Sequence, residues 1–70
     1  MTNEISKLKK IKDKVIDKTE RRDKVAMLRS DDWYNSKKGK KHEEATAKLA
    51  EAVENINDAI KELEEYIKTA

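Results

Sequence analysis

The stretch from Glu43 to Lys68, EEATAKLAEAVENINDAIKELEEYIK, decides the fold class of this chain. Within it Ala45, Leu49, Ala52, Ile56, Ala59, Leu63 and Tyr66 recur at spacings of 4, 3, 4, 3, 4 and 3, a heptad seam held for three repeats. Val53, Ile60 and Ile67 each follow one of these positions directly. They widen the stripe to roughly 100°, the width of a core-facing helix rather than a narrow two-stranded seam. A strand does not fit, because period-2 alternation fails at Ala52–Val53, Ala59–Ile60 and Tyr66–Ile67. The spacing therefore predicts a helix over about 43–68. Its alanine column would let a neighbouring backbone approach closely, although alanine is also simply the best helix former.

Working outward, the N-terminal segment carries a weaker stripe at Ile5, Leu8, Ile11, Val15 and Ile16, followed by polar residues from Asp17 to Lys24. Apolar character returns at Val25. In the register of Leu8, Ile11 and Val15, the next seam positions are Lys18 and Arg22, whose long stems can lie along apolar surface. One helix over about 4–29 and two shorter helices broken near Thr19 are both compatible with this pattern. No Gly or Pro forces a break, so the single helix is favoured.

The junction, residues 30–42, contains Ser30-Asp31-Asp32, a helix-start signal, then Trp33 and Tyr34, then Lys37-Lys38-Gly39-Lys40-Lys41. Four lysines at a helix N-terminus would oppose its dipole. The expectation is a bend and basic loop over 30–42, with either a last helix starting nearer His42-Glu43-Glu44 or a short helical turn at 31–36 preceding a Gly39-containing loop. The fold class read from sequence is all-α: one helical domain over 1–70 built as an antiparallel two-helix hairpin with a coiled-coil-like seam. If the 31–36 turn counts as an element, there are three helices.

Composition agrees with this reading and excludes several function classes. Of the 70 residues, 46% are charged and 36% apolar, with no Cys and no Pro. The absence of Cys rules out a disulfide scaffold, a cysteine-ligated zinc site and a thiol enzyme. The formal net charge is only +2, yet residues 1–41 carry +7 and residues 42–70 carry −5. Such asymmetry favours an antiparallel hairpin or head-to-tail contact between copies, and the acidic half argues against a simple nucleic-acid coat. No secretory signal is evident, and the longest apolar run is Val25 to Leu28, so the expectation is a chain that is cytoplasmic when made or incorporated in a virion, without membrane insertion.

No residue pattern points to catalysis, a cofactor or a metal. His42 is the only histidine and stands in no nucleophile motif, so a solvated or capping role is expected for it. The acidic pairs Asp31–Asp32, Glu43–Glu44 and Glu64–Glu65 are adjacent, which on a helix turns them about 100° apart. The expected function is therefore a non-enzymatic protein–protein interaction or assembly module, such as a small accessory or structural subunit of a larger complex or a phage particle. Its partner-binding residues would be Leu49, Ala52, Val53, Ile56, Ile60, Leu63 and Ile67, with Trp33 and Tyr34 as anchors.

Two alternatives stand beside it. A basic hairpin could bind nucleic acid through Lys37, Lys38, Lys40 and Lys41, a run that lacks the remainder of a P-loop, together with the basic face of the first helix, where Lys7, Lys10, Lys14, Lys18 and Arg21 flank the seam. A small inhibitor could use the same apolar seam to sequester another protein. A helical hairpin with Trp at its bend resembles the WXG100-type secreted proteins in outline from Leu28 to Tyr66. Trp33 is followed by Tyr34-Asn35 instead of the W-x-G turn, however, and the acidic residue of the export signal is missing after Tyr66. No functional residue transfers from that family.

Overall fold

The computed structural model describes all residues 1–70 and contains three helices and no strand: α1 (Thr2–Met27), α2 (Asp31–Asn35) and α3 (Lys37–Thr69). α1 and α3 pack antiparallel as a rod of 54 × 15 × 11 Å, and the short α2 closes the bend end against α3. No helix is long and apolar enough to cross a membrane.

α1 runs unbroken through the polar stretch 17–24. The partly covered positions explain this continuity: Ile5, Leu8, Lys12, Val15, Thr19, Arg22 and Ala26 recur at alternating spacings of 3 and 4. The heptad seam continues through polar side chains that find partners. Ile11 and Val25, which the apolar register placed in the seam, lie on its flank, and Lys18 is exposed.

The seam of α3 keeps Leu49, Ile56 and Leu63 where the sequence frame placed them, and takes Thr46, Val53 and Ile60 in place of the adjacent alanines. It runs through Gly39, His42, Thr46, Leu49, Val53, Ile56, Ile60 and Leu63. Ala45 is exposed, Ala52 and Ala59 lie along the edge, and Tyr66 is 58% exposed. The rotation has a simple cause. Centring Val53 and Ile60 on α1 removes more apolar area from water than centring the alanines would.

The junction differs most from expectation. Ser30 caps α2 as its sequence signal predicts, its hydroxyl accepting from the Trp33 N–H at 3.3 Å. Lys37 to Lys41, however, is not a loop but the start of α3, which begins six residues before Glu43. Ser36 caps it, accepting from the Gly39 N–H at 3.2 Å while donating to the Trp33 carbonyl. That cap and the length of helix behind it outweigh the unfavourable dipole terms of four exposed, water-screened ammonium groups. Replacing Ser36 with Ala is expected to cost about 1 kcal/mol. Urea denaturation followed by far-UV circular dichroism would measure the loss; an unchanged midpoint would show that the cap is not what starts α3.

Gly39 is buried, and a Cβ there would fall 2.0 Å from the Trp33 carbonyl oxygen and 2.9 Å from Tyr34 Cα. The single glycine of the chain is thus set where the backbone of α2 lies on α3, with an ordinary helical φ.

Candidate functional site

The bend half of the hairpin is held by polar and aromatic contacts rather than by aliphatic packing. Arg22 Nε donates to the Thr46 hydroxyl at 3.0 Å, and Arg22 Nη2 donates to the His42 carbonyl oxygen at 3.2 Å. In return, His42 Nε2 lies 3.1 Å from the Arg22 carbonyl oxygen. A carbonyl only accepts, so this nitrogen carries the proton. Each residue therefore binds the other's main chain across the two helices. The Thr46 hydroxyl completes the clasp by donating to the His42 carbonyl at 2.9 Å. His42, expected to be solvated or to cap a helix, instead fixes the register of α1 against α3.

Trp33 and Tyr34 close the bend above this clasp. The Trp33 ring meets the rings of Tyr34 and His42 edge-on, both at 5.3 Å between centroids, and the Arg29 guanidinium sits 5.4 Å from its centre. The Tyr34 hydroxyl donates to the Ala26 carbonyl, which also accepts from the Arg29 N–H at the end of α1. Trp33 and Tyr34, expected as partner anchors, here pack so as to seal the end of the hairpin. Both side chains remain only half-buried.

The residues assigned to partner binding are divided by the fold. Leu49, Val53, Ile56, Ile60 and Leu63 face α1, with Ala52 at the edge of the same seam and Ile67 exposed at the open end. The four lysines of the presumed basic loop separate around the first turns of α3, because successive helical residues diverge by about 100°. Lys38 and Lys41 point to one edge of the hairpin, Lys40 to the other and Lys37 to the back. Together they form no single grip.

Four shallow clefts follow the groove between the helices and the surface of α3. Asp23, Ala26, Met27, Tyr34, His42, Glu43 and Thr46 line one of about 360 Å³. Ile16, Thr19, Glu20, Ala50, Val53 and Glu54 line another of about 300 Å³ further along that edge. On the opposite edge, Lys18, Arg21, Arg22, Val25 and His42 surround about 250 Å³. No three His, Asp or Glu side chains converge in a way that would hold a metal ion. The basic stripe of α1 through Lys14, Lys18 and Arg21 is readable from its spacing, but its meeting with His42 across two helices is not. The signal that reveals it is the heptad register continued through Thr19, Arg22, His42 and Thr46.

The molecule is thus an antiparallel α-helical hairpin, capped at its bend by a one-turn aromatic helix and clasped there by an Arg–His–Thr cluster. Comparison with protein-family models, with curated proteins and with solved structures finds no match to this chain.

Proposed function

We propose that this chain is a non-enzymatic helical interaction module, a small accessory or structural subunit that completes its apolar burial by docking onto a protein partner or another copy. The observation that supports this reading is the thinness of its core. Ile5 and Ile60 are the only buried apolar side chains, while Ile11, Val25, Met27, Leu28, Tyr66 and Ile67 are each at least 45% exposed. A chain of this length seldom derives more than about 3–5 kcal/mol from its own core, and stability is commonly supplemented by association. Exposed apolar surface gathered at the two ends of a rod is where such association lowers the free energy further. Sequestration of a single target protein, the inhibitor alternative, would draw on the same surfaces.

The test combines sedimentation equilibrium with thermal unfolding across a hundredfold range of protein concentration near physiological salt. The expected result is either a discrete oligomer with a concentration-dependent melting temperature or a monomer with weak, non-cooperative helicity. A monomer that melts cooperatively above about 65 °C, the upper end of ordinary mesophilic domains, would overturn the proposal, since such a molecule has no unmet burial to satisfy.

A further inference from the structure

The charge asymmetry between the two halves of the sequence becomes, on folding, an asymmetry between the two edges of the hairpin. One edge holds the cleft walled by Lys18, Arg21, Arg22, Val25 and His42, with no acidic residue among them. Helical spacing adds Lys14 on the α1 bank, four residues before Lys18. It adds Lys38 and Lys41 on the α3 bank, four and one residues before His42, and Lys48 one heptad beyond Lys41. Lys41 and Lys48 also border a common surface depression with Ala45, Ala47 and one acidic residue, Glu44. The opposite edge carries Glu20, Asp23, Glu43 and Glu54. Lys14, Lys18, Lys38 and Lys41 enter no ion pair. Arg21 and Lys48 have acidic partners only on their own helices, Asp17 at 2.9 Å and Glu51 at 3.3 Å.

We infer that this cationic edge binds the phosphate backbone of duplex nucleic acid, with Lys14, Lys18 and Arg21 on one bank and Lys38, Lys41 and Lys48 on the other. The inference is independent of the docking role above, which rests on apolar surface. Lys14, Lys18 and Arg21 span about 10 Å along α1 at 1.5 Å per residue. A duplex offers one negative charge per roughly 1.7 Å of its axis, so a rod with two rows of cations can engage it without shape-matched pockets. Like-charged ammonium groups lining a common cleft repel one another, and a polyanion relieves that repulsion.

The acidic half of the sequence argued against such binding. By helical spacing its carboxylates fall mainly on the far edge and the back of α3, and none lines the cleft of Lys18 and Arg21, although Glu44 and Glu51 neighbour Lys41 and Lys48. Trp33 is already engaged by Tyr34, His42 and Arg29, so base stacking on a single strand is not the mode. A lipid surface is disfavoured as well. Interfacial helices present broad apolar faces, whereas this edge offers Ile11 and Val25 on one bank and alanines on the other.

The experiment is an anisotropy titration of a fluorescein-labelled, mixed-sequence duplex of about 20 base pairs with the full chain, at NaCl concentrations between about 50 and 200 mM. The logarithm of affinity should fall with the logarithm of salt at a slope near −4 to −5, reflecting about five phosphate contacts. The double variant Lys18→Gln with Lys41→Gln should weaken binding about tenfold at low salt and reduce the slope by about 2. Lys10→Gln with Lys61→Gln removes the same charge from outside this edge and should weaken binding less than about threefold, through the diffuse field alone.

Circular dichroism of both variants establishes that helicity is retained, which these exposed, conservative changes should allow. Equal weakening by the two pairs would overturn the assignment of the edge, and absence of binding at low salt would overturn it altogether. So would preferential capture by phosphatidylserine–phosphatidylcholine vesicles in a sedimentation assay, an outcome that would give the same cations to lipid headgroups.

Discussion

Ile60→Asp is expected to abolish the hairpin. Ile60 is the most deeply buried large side chain of the molecule, at 5% exposure, and sits in the α3 seam against α1. Truncating a buried isoleucine costs about 2–5 kcal/mol, and leaving an unpaired carboxylate in its place adds a desolvation penalty. The total exceeds the roughly 3–5 kcal/mol that a core of this size supplies. Far-UV circular dichroism at 25 °C should therefore report a large loss of helicity. A residue should remain, because α3 is long and rich in good helix formers and retains marginal helicity alone.

The matching variant one heptad on, Ile67→Asp, is the control for the hairpin itself, read at a dilution where no association through the open end contributes. Ile67 is 45% exposed, and surface changes of this kind usually fall within about 0.5 kcal/mol. Equal damage from the two substitutions would mean that the seam extends to the open end, contrary to the observed burial. Because loss of the fold also removes any surface for docking, Ile60→Asp reports on the hairpin and not on a partner.

The sequence carried much of this architecture, and the places where reading failed share one physical origin. Helix α3 was legible from Leu49 to Leu63 because large apolar residues alternate there at 3 and 4. The frame was right at Leu49, Ile56 and Leu63 and one position off at Ala45, Ala52 and Ala59, because alanines share that spacing. Periodicity weighs Ala45, Ala52 and Ala59 equally with Val53 and Ile60, whereas the energy of burial scales with area.

Towards the bend the seam changes character, to Thr19 and Arg22 on one helix and His42 and Thr46 on the other. A search for apolar periodicity ends where those residues begin, although the register itself does not. Arg22 was legible as a seam position and Lys14, Lys18 and Arg21 as a basic stripe, but the clasp with His42 and Thr46 that joins them to α3 was out of sight. Helix α2 and its Ser30 cap were anticipated. The start of α3 was not, because the four lysines were judged by the dipole they oppose. The Ser36 cap, a local contact three residues long that went unread, and the contact of α2 with Gly39, which only the fold reveals, outweigh that penalty.

That contact makes Gly39→Ala the sharpest test of the bend, since two local effects of the same substitution have opposite signs. In a helix without neighbours, Ala in place of Gly stabilises by about 1 kcal/mol. Here the new methyl group would lie 2.0 Å from the Trp33 carbonyl oxygen, 2.9 Å from its carbonyl carbon and 2.9 Å from Tyr34 Cα. All three are backbone atoms that cannot turn aside as a flexible side chain would. α2 must then lift off α3 by more than an ångström. Lifting strains the Ser36 cap, whose hydroxyl bridges the Trp33 carbonyl and the Gly39 N–H. It also separates the Trp33 ring from His42 and withdraws the Tyr34 hydroxyl from the Ala26 carbonyl. Overpacking of this kind costs about 1–3 kcal/mol, more where backbone must move, so the helix-propensity gain is offset or exceeded.

The observable is local. Trp33 is the only tryptophan, and its emission should shift to longer wavelength as the ring becomes solvated. Trypsin should cut after Arg29 and Lys37 at least several-fold faster, while most of the α1 and α3 helicity persists. Ala47→Gly supplies the contrasting control: it should cost about 1 kcal/mol of helix stability and leave Trp33 emission unchanged, because Ala47 is exposed on α3. A Gly39→Ala protein that is more stable by about 1 kcal/mol, with unaltered Trp33 fluorescence, would show that α2 does not rest on α3. The bend would then be held by the Arg22–His42–Thr46 clasp alone.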